Sequence, residues 1–242
     1  MTAARYAVYW APEPATELAR FGARWLGRDA ETGQRTTALA AGLPLSWERA
    51  TEEARLYGFH ATLKPPFRLR VGCDEAALEA ALESFCAALE PIDGVKLRLA
   101  ALDGFLALVP GSRVPELGDL ARRSVIAFDG FRAPADDAEL ARRRAAGLTA
   151  RQEEMLARWG YPYVLDEFRF HLTLTRRLSQ ETGAEIVNFL APFAERACAA
   201  PQRIASLCLF VQVVPGAAFM VRRRFPLGNG TGLAKAGTTA GQ

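Results

Sequence analysis

Two copies of one tetrapeptide constrain this chain more than any other feature: His60-Ala61-Thr62-Leu63 and His171-Leu172-Thr173-Leu174. Together they use both histidines of the sequence. At the chain's own Thr and Leu frequencies, the double coincidence has odds on the order of a few in a hundred thousand, so the repeat is read as a signal rather than chance. Each copy sits in an apolar, aromatic stretch with strand character, Tyr57–Leu63 and Phe168–Leu174. Successive side chains of a strand face opposite ways. His60 and Thr62 therefore share one face, as do Arg169, His171, Thr173 and Thr175, while Phe59, Ala61, Leu63, Phe168, Phe170, Leu172 and Leu174 form the apolar faces behind them.

The rest of the chain repeats with the motifs. From His60 to the Asp103-Gly104 pair is 43 residues, and from His171 to Pro215-Gly216 is 44. Both intervals read as motif strand, amphipathic helix, hairpin. Asp74 is placed to cap a helix with the stripe Leu78, Leu82, Phe85 and Leu89. A second helix over about 180–198 buries Ile186, Val187, Leu190, Phe193 and Ala197. Hairpins are expected over 95–109 and 204–226, turning at the two glycine pairs. Before the first motif come a strand over 5–10, a helix ending near Gly27, and an unpatterned loop over 27–50, long enough to serve as a lid. Pro65-Pro66 is expected to halt the first motif strand. Residues 113–160 read as helical, with a capping box at Thr149 and Gln152, and the run Arg142-Arg143-Arg144 reads as a solvated helix face. The predicted fold is α+β: a bilobal, pseudo-symmetric domain over 1–227, mainly antiparallel sheet around a central cleft with helices outside. A flexible tail is expected over 228–242.

Composition narrows the classes of function. The net charge of +3 is too mild for a long nucleic-acid track but suits an anionic ligand. The four cysteines are scattered and form no Cys-x-x-Cys, which fits reduced thiols in a cytoplasmic protein. No run approaches the roughly 18 apolar residues of a membrane span. A zinc site would need companions at ligand spacing around either histidine, and neither has them, so no metal and no cofactor are expected.

Imidazoles suit acid–base work near neutral pH, and a facing pair can divide it, one taking a proton and the other giving one. Hydroxyls two residues along each strand can clamp a tetrahedral anion between the rings. His60, Thr62, His171 and Thr173 are thus the predicted catalytic group. By parity or proximity, Lys64, Arg169, Thr175, Tyr9, Tyr57 and Arg28 are candidate substrate-binding residues, the tyrosines for stacking and the cations for charge.

The paired His-x-Thr-Leu resembles the two-histidine phosphoesterase superfamily, which includes the RNA 2′,3′-cyclic phosphodiesterases once called RNA ligase T-like proteins. Within it, Trp25-Leu26-Gly27-Arg28-Asp29, Tyr57 to Pro66 and Phe168 to Thr175 are similar to a bacterial branch associated with phosphonate utilisation. The resemblance spans about residues 5–226. It implies a metal-independent site of His60, Thr62, His171 and Thr173 acting on a small cyclic phosphate or phosphodiester. The alternatives it leaves are an RNA-end 2′,3′-cyclic phosphodiesterase and a non-enzymatic module that binds a phosphorylated ligand.

Overall fold

The structure is a computed structural model and describes residues 4–37, 39, 42–44, 46–145 and 147–228. In chain order its helices and strands are β1 (Arg5–Trp10), α1 (Glu17–Leu26), α2 (Trp47–Tyr57), β2 (Ala61–Arg68), α3 (Glu75–Ala87), β3 (Ile92–Val95), β4 (Leu97–Leu102), β5 (Phe105–Pro110), α4 (Pro115–Ala127), α5 (Asp137–Arg144), α6 (Ala150–Trp159), β6 (Leu172–Thr173), α7 (Gln180–Ala197), β7 (Gln202–Ile204), β8 (Ser206–Gln212) and β9 (Met220–Pro226). This is the α+β architecture expected, with antiparallel pairing throughout the described strands.

Alternation along the central strands divides the molecule into layers. Tyr6, Val8 and Trp10 of β1 enter a large apolar core, whereas Ala7 and Tyr9 join a smaller cluster on the other face. On β8, Leu207, Leu209 and Val211 join the large core, and Cys208 and Phe210 the small one. Phe59, Ala61 and Leu63, with Phe170, Leu172 and Leu174, also point into the large core, where α1, α3 and α7 press Trp25, Leu78 and Leu190 against them. That burial leaves each motif's histidine and threonine on the opposite face.

Seven strands form one sheet in the order β4-β5-β6-β2-β1-β8-β9, so the two motif strands are central neighbours. Each motif strand leads to a helix, then a short strand, then a hairpin. The two short strands, β3 and β7, pair with each other, as a pseudo-twofold requires. The first hairpin turns at Asp103 and Gly104, both with positive φ (48° and 90°) as a two-residue turn demands. The second turns at Pro215-Gly216, where Ala217 N donates to Val214 O at 3.1 Å and Gly216 has φ 82°. Asp74 caps α3 through Ala77 N, and Thr149 and Gln152 form the capping box of α6.

Several boundaries differ from the sequence-based expectation. Pro65 and Pro66 do not stop β2. Tyr6 pairs with Phe67 and Val8 with Lys64, so β2 carries an extra residue there and the missing N–H groups fall in a bulge. The second motif strand is short. Beyond Thr173, Leu174 N and Thr175 N both donate to Leu106 O, and Thr175 Oγ1 accepts from Leu106 N, which breaks the ladder. The loop expected over 27–50 ends in α2, whose Trp47 donates from Nε1 to Trp25 O. Residues 28–36 are not a free lid: Arg28 bridges to Arg35, and Val221 N of β9 donates to Ala30 O. The run over 204–214 is divided between β7 and β8. The expected tail lies, apart from Gly228, outside the described residues.

Candidate active site

The antiparallel pairing of Ala61 with Leu172 sets His60 beside Thr173 and Thr62 beside His171. All four side chains then share one sheet face, with histidine diagonal to histidine and threonine diagonal to threonine. Diagonal positions across antiparallel strands lie roughly 7–8 Å apart, a span that a phosphate with its oxygens can bridge. Two rings on adjacent strands thus face one space, as strand parity requires.

The rings are anchored alike. His60 Nδ1 is 2.9 Å from Gly58 O, and His171 Nδ1 is 2.7 Å from Arg169 O, each a carbonyl two residues upstream. A carbonyl only accepts, so Nδ1 carries a proton and a neutral ring presents an unprotonated Nε2 to the face. At His60 that Nε2 lies 3.1 Å from Thr62 Oγ1, placed to accept the hydroxyl proton. Gly58 makes this anchor possible. Its φ is 80°, and a Cβ there would lie 2.7 Å from the Ala30 side chain and 3.2 Å from Arg28 Nη2.

The two environments differ in degree. His60 is 9% exposed and stacks on Tyr9 with centroids 3.7 Å apart and planes at 18°. Burial lowers its pKa to about 4, with further lowering by the charges of His171 and Arg28. The Gly58 carbonyl pulls the other way, more strongly than either charge but less than burial. His171 is less enclosed and touches Phe105, with centroids 5.5 Å apart. Its pKa is also lowered, first by burial; the Arg169 carbonyl and Asp103 oppose this, and the Arg169 charge adds to it.

Of the predicted binding residues, Tyr9 and Tyr57 reach the site. Tyr57 stacks on Phe219 and lies 6.3 Å from the His60 ring, so the two tyrosines wall that side. Arg169 is exposed, beside His171, and paired with Asp103 at 3.1 Å. The other three are committed to packing. Lys64 loses the His60 parity at a register shift, where Tyr9 pairs with Thr62 but the core-facing Val8 pairs with Lys64; it is buried, and its ammonium donates to Asp129 Oδ1 at 2.8 Å and Val125 O at 3.2 Å. The Thr175 hydroxyl is held by Leu106 N. The Arg28 guanidinium donates to the carbonyls of Arg55 and Phe219, tying α1, α2 and β9 together behind Gly58. Sequence reasoning missed Phe105 and Phe210, which lie against the His171 and His60 rings, Phe219, which stacks on Tyr57, and Asp103, whose charge acts on His171. Asp103 was legible only as a turn residue. Among the described residues, no three His, Cys, Asp or Glu side chains gather as metal ligands, and all four cysteines are free. None of the described helices is long and apolar enough to cross a membrane.

The fold and the site define an α+β protein with a pseudo-symmetric pair of His-x-Thr motifs on one sheet face. The chain belongs to the family described as "Protein of unknown function (DUF1045)", whose model matches residues 62–220. It is 40% identical over 229 residues to a ribose 1,5-bisphosphate phosphokinase PhnN of Janthinobacterium sp. (strain Marseille), covering 92% of this chain and 50% of the relative. It is 39% identical over 224 residues to the protein of the same name from Laribacter hongkongensis (strain HLHK9), covering 90% and 51%. The chain therefore spans about half the length of the curated relatives it matches. Among solved structures, a phosphoesterase shares 12% identity at a TM-score of 0.43, over 94% of this chain and all of that one. The E. coli LigT complex with 3′-AMP shares 13% at 0.43 over the same fractions.

Proposed function

We propose that this protein is a metal-independent phosphoesterase that hydrolyses a small cyclic phosphate or phosphodiester by paired-histidine acid–base catalysis. The observation that carries this reading is the Ala61–Leu172 register, which makes a diagonal pair of imidazoles and a diagonal pair of hydroxyls around one space. The phosphoryl group sits between the rings. Thr62 and Thr173 donate hydrogen bonds to its nonbridging oxygens, which releases His60 Nε2 from its contact with Thr62. His60, held neutral by burial, takes a proton from the attacking water at Nε2. As the water oxygen bonds to phosphorus, the ester P–O bond breaks and its oxygen receives a proton from Nε2 of His171. Against the burial that lowers the His171 pKa, the Arg169 carbonyl and, to a lesser extent, Asp103 favour the protonated form that this step needs. Proton exchange with solvent resets the pair.

The name of the curated relatives supports a sugar phosphate as substrate class, in keeping with phosphonate utilisation. Kinase activity itself fits this chain poorly. None of its three lysines (Lys64, Lys96, Lys235) follows a glycine, so it has no Gly-x4-Gly-Lys-Ser/Thr phosphate loop. A compact substrate is favoured over a polymer because the cations expected near the motifs, Lys64, Arg28 and Arg169, are engaged by Asp129, backbone carbonyls and Asp103 rather than lined up for a phosphate backbone.

The test is turnover on a panel of small cyclic phosphates, sugar and nucleotide, for the natural chain, His60→Ala and His171→Ala. Each histidine contributes about 10²–10⁴-fold on the best substrate. Near-full turnover in either variant overturns the paired mechanism. An oligonucleotide ending in a 2′,3′-cyclic phosphate that outcompetes every small compound, with KM rising steeply with salt, transfers the function to RNA ends.

A further inference from the structure

The hydrogen bonds of His60 hold only its edge. Gly58 O takes the Nδ1 proton, and Thr62 Oγ1 lies at Nε2. Once a substrate draws the Thr62 hydroxyl away, the bond at Nδ1 remains, and a single bond leaves an imidazole free to swing about it. A base that must meet a water molecule needs its plane fixed as well as its edge.

Three aromatic rings surround His60. Tyr57 and Phe210 lie at 6.3 and 5.9 Å, tilted by 44° and 45°. Tyr9 alone of these lies nearly parallel, at 3.7 Å and 18°. It occupies a central strand, paired with Thr62 of β2 on one side and Cys208 of β8 on the other. The register shift between Val8 and Tyr9 turns this side chain onto the Thr62 face, diagonal to His60, where an aromatic ring has the reach to cover it. Tyr9 is 1% exposed and is packed among Ala7, Ala11, Cys208, Phe210 and Phe219, so the ring is itself rigidly held. Its hydroxyl makes no hydrogen bond among the described residues, and burial raises its pKa well above the ordinary value. What it offers His60 is therefore an uncharged ring face. His171 has no equivalent: Phe105 lies 5.5 Å away, tilted by 55°.

We propose that Tyr9 is the positioning residue of His60: its ring fixes the plane of the imidazole so that Nε2 faces the attacking water, and it supports the imidazolium formed when the proton has moved. The second role follows because the face of an aromatic ring attracts a cation. The proposal rests on the phosphoesterase reading for the source of that proton, whereas the stack and its hold on His60 need no turnover. The groups that face His60 are the Tyr9 and Tyr57 phenols and the Thr62 hydroxyl, with the charges of His171 and Arg28 acting on it.

The test is NMR of the His60 ring, its Cε1 proton and both nitrogens, in Tyr9→Phe, Tyr9→Leu and Phe210→Leu, with kcat and KM measured on the best substrate. Tyr9→Phe keeps the ring and should leave the His60 titration near pH 4, with kcat within about twofold. Tyr9→Leu should raise that titration by about one pH unit or more as water reaches the exposed face, and mix the Nδ1–H and Nε2–H tautomers. It should also lower kcat about tenfold or more, with KM changed by less than about threefold. Phe210→Leu removes comparable packing without the stack and should keep the tautomer. Tyr9→Met replaces Tyr9→Leu if urea unfolding shows the latter to be unfolded. An unchanged titration and tautomer in the folded variant overturns the proposal. Equal effects from Phe210→Leu also overturn it, as does a Tyr9→Phe loss matching that of Tyr9→Leu, which would place the role in the hydroxyl. A His60 ring that depends on Tyr9 in a protein that hydrolyses none of the panel keeps the stack's hold on the ring and ends the phosphoesterase reading.

Discussion

Replacing His60 by Gln probes how the fold holds a catalytic imidazole neutral. His60 is 9% exposed, and its pKa is lowered from 6.5 to about 4, chiefly by burial. An unfolded chain binds a proton on this ring near pH 6.5, whereas the folded one resists until about pH 4. Stability from this residue is therefore complete above pH 6.5 and lost as the pH falls toward 4. A tenfold difference in proton affinity between the folded and unfolded chain is worth about 1.4 kcal/mol, so the loss approaches roughly 3 kcal/mol at the acid end and about 2 kcal/mol by pH 5. Urea unfolding of the natural chain and His60→Gln between pH 7 and 5 isolates the effect, since carboxylate titrations are common to both. The natural chain should lose about 2 kcal/mol more than the variant over that range. With only two histidines in the sequence, the two ring Cε1 protons can also be followed by NMR and assigned by single substitution. Parallel unfolding curves, or a His60 resonance that titrates near pH 6.5, would refute the argument that burial against Tyr9 keeps this ring neutral.

Other consequences are sharper in kinetics or stability. Thr62→Val and Thr173→Val should each lower kcat by roughly 10–10³-fold, less than the histidine changes, with Thr→Ser milder; equal losses for Val and Ser would remove the hydroxyl clamp. Turnover should survive EDTA, and loss on chelation with recovery on adding zinc would replace the metal-free mechanism. Asp129→Ala strips a buried ammonium of its partner and should cost about 3–5 kcal/mol in denaturant unfolding; a loss under about 1 kcal/mol would show that Lys64 is not held there as a charge. Thr175→Val leaves Leu106 N without its acceptor and should cost about 1–3 kcal/mol with kcat unchanged; a large fall in kcat at intact stability would return Thr175 to the site.

The site's core was legible because strand parity is a local property. Once Phe59, Ala61 and Leu63, and Phe170, Leu172 and Leu174, read as apolar faces, both histidines and both threonines had to share the remaining faces of their strands. Caps and turns were legible for the same reason: Asp74, Thr149, Asp103-Gly104 and Pro215-Gly216 act on backbone within four residues of themselves. Helix α2 was not, because its buried face is only Ala50, Thr51 and Ala54, too small to stand out as an apolar stripe.

Sequence by itself thus determined the chemistry available, two imidazoles and two hydroxyls in matched pairs, and the repeat that carries them. Only the tertiary structure decided which cations stay free to meet a substrate. Sequence parity placed Lys64 beside His60, but a register shift breaks that parity and a partner 65 residues away, Asp129, claims its ammonium. Arg143, read as one of three solvated arginines, is half-buried with its guanidinium carbon 4.5 Å from the Tyr161 ring centroid. The difference is physical. A side chain's direction follows from its own backbone, whereas its partner is chosen by charges and carbonyls brought near only when distant segments pack together.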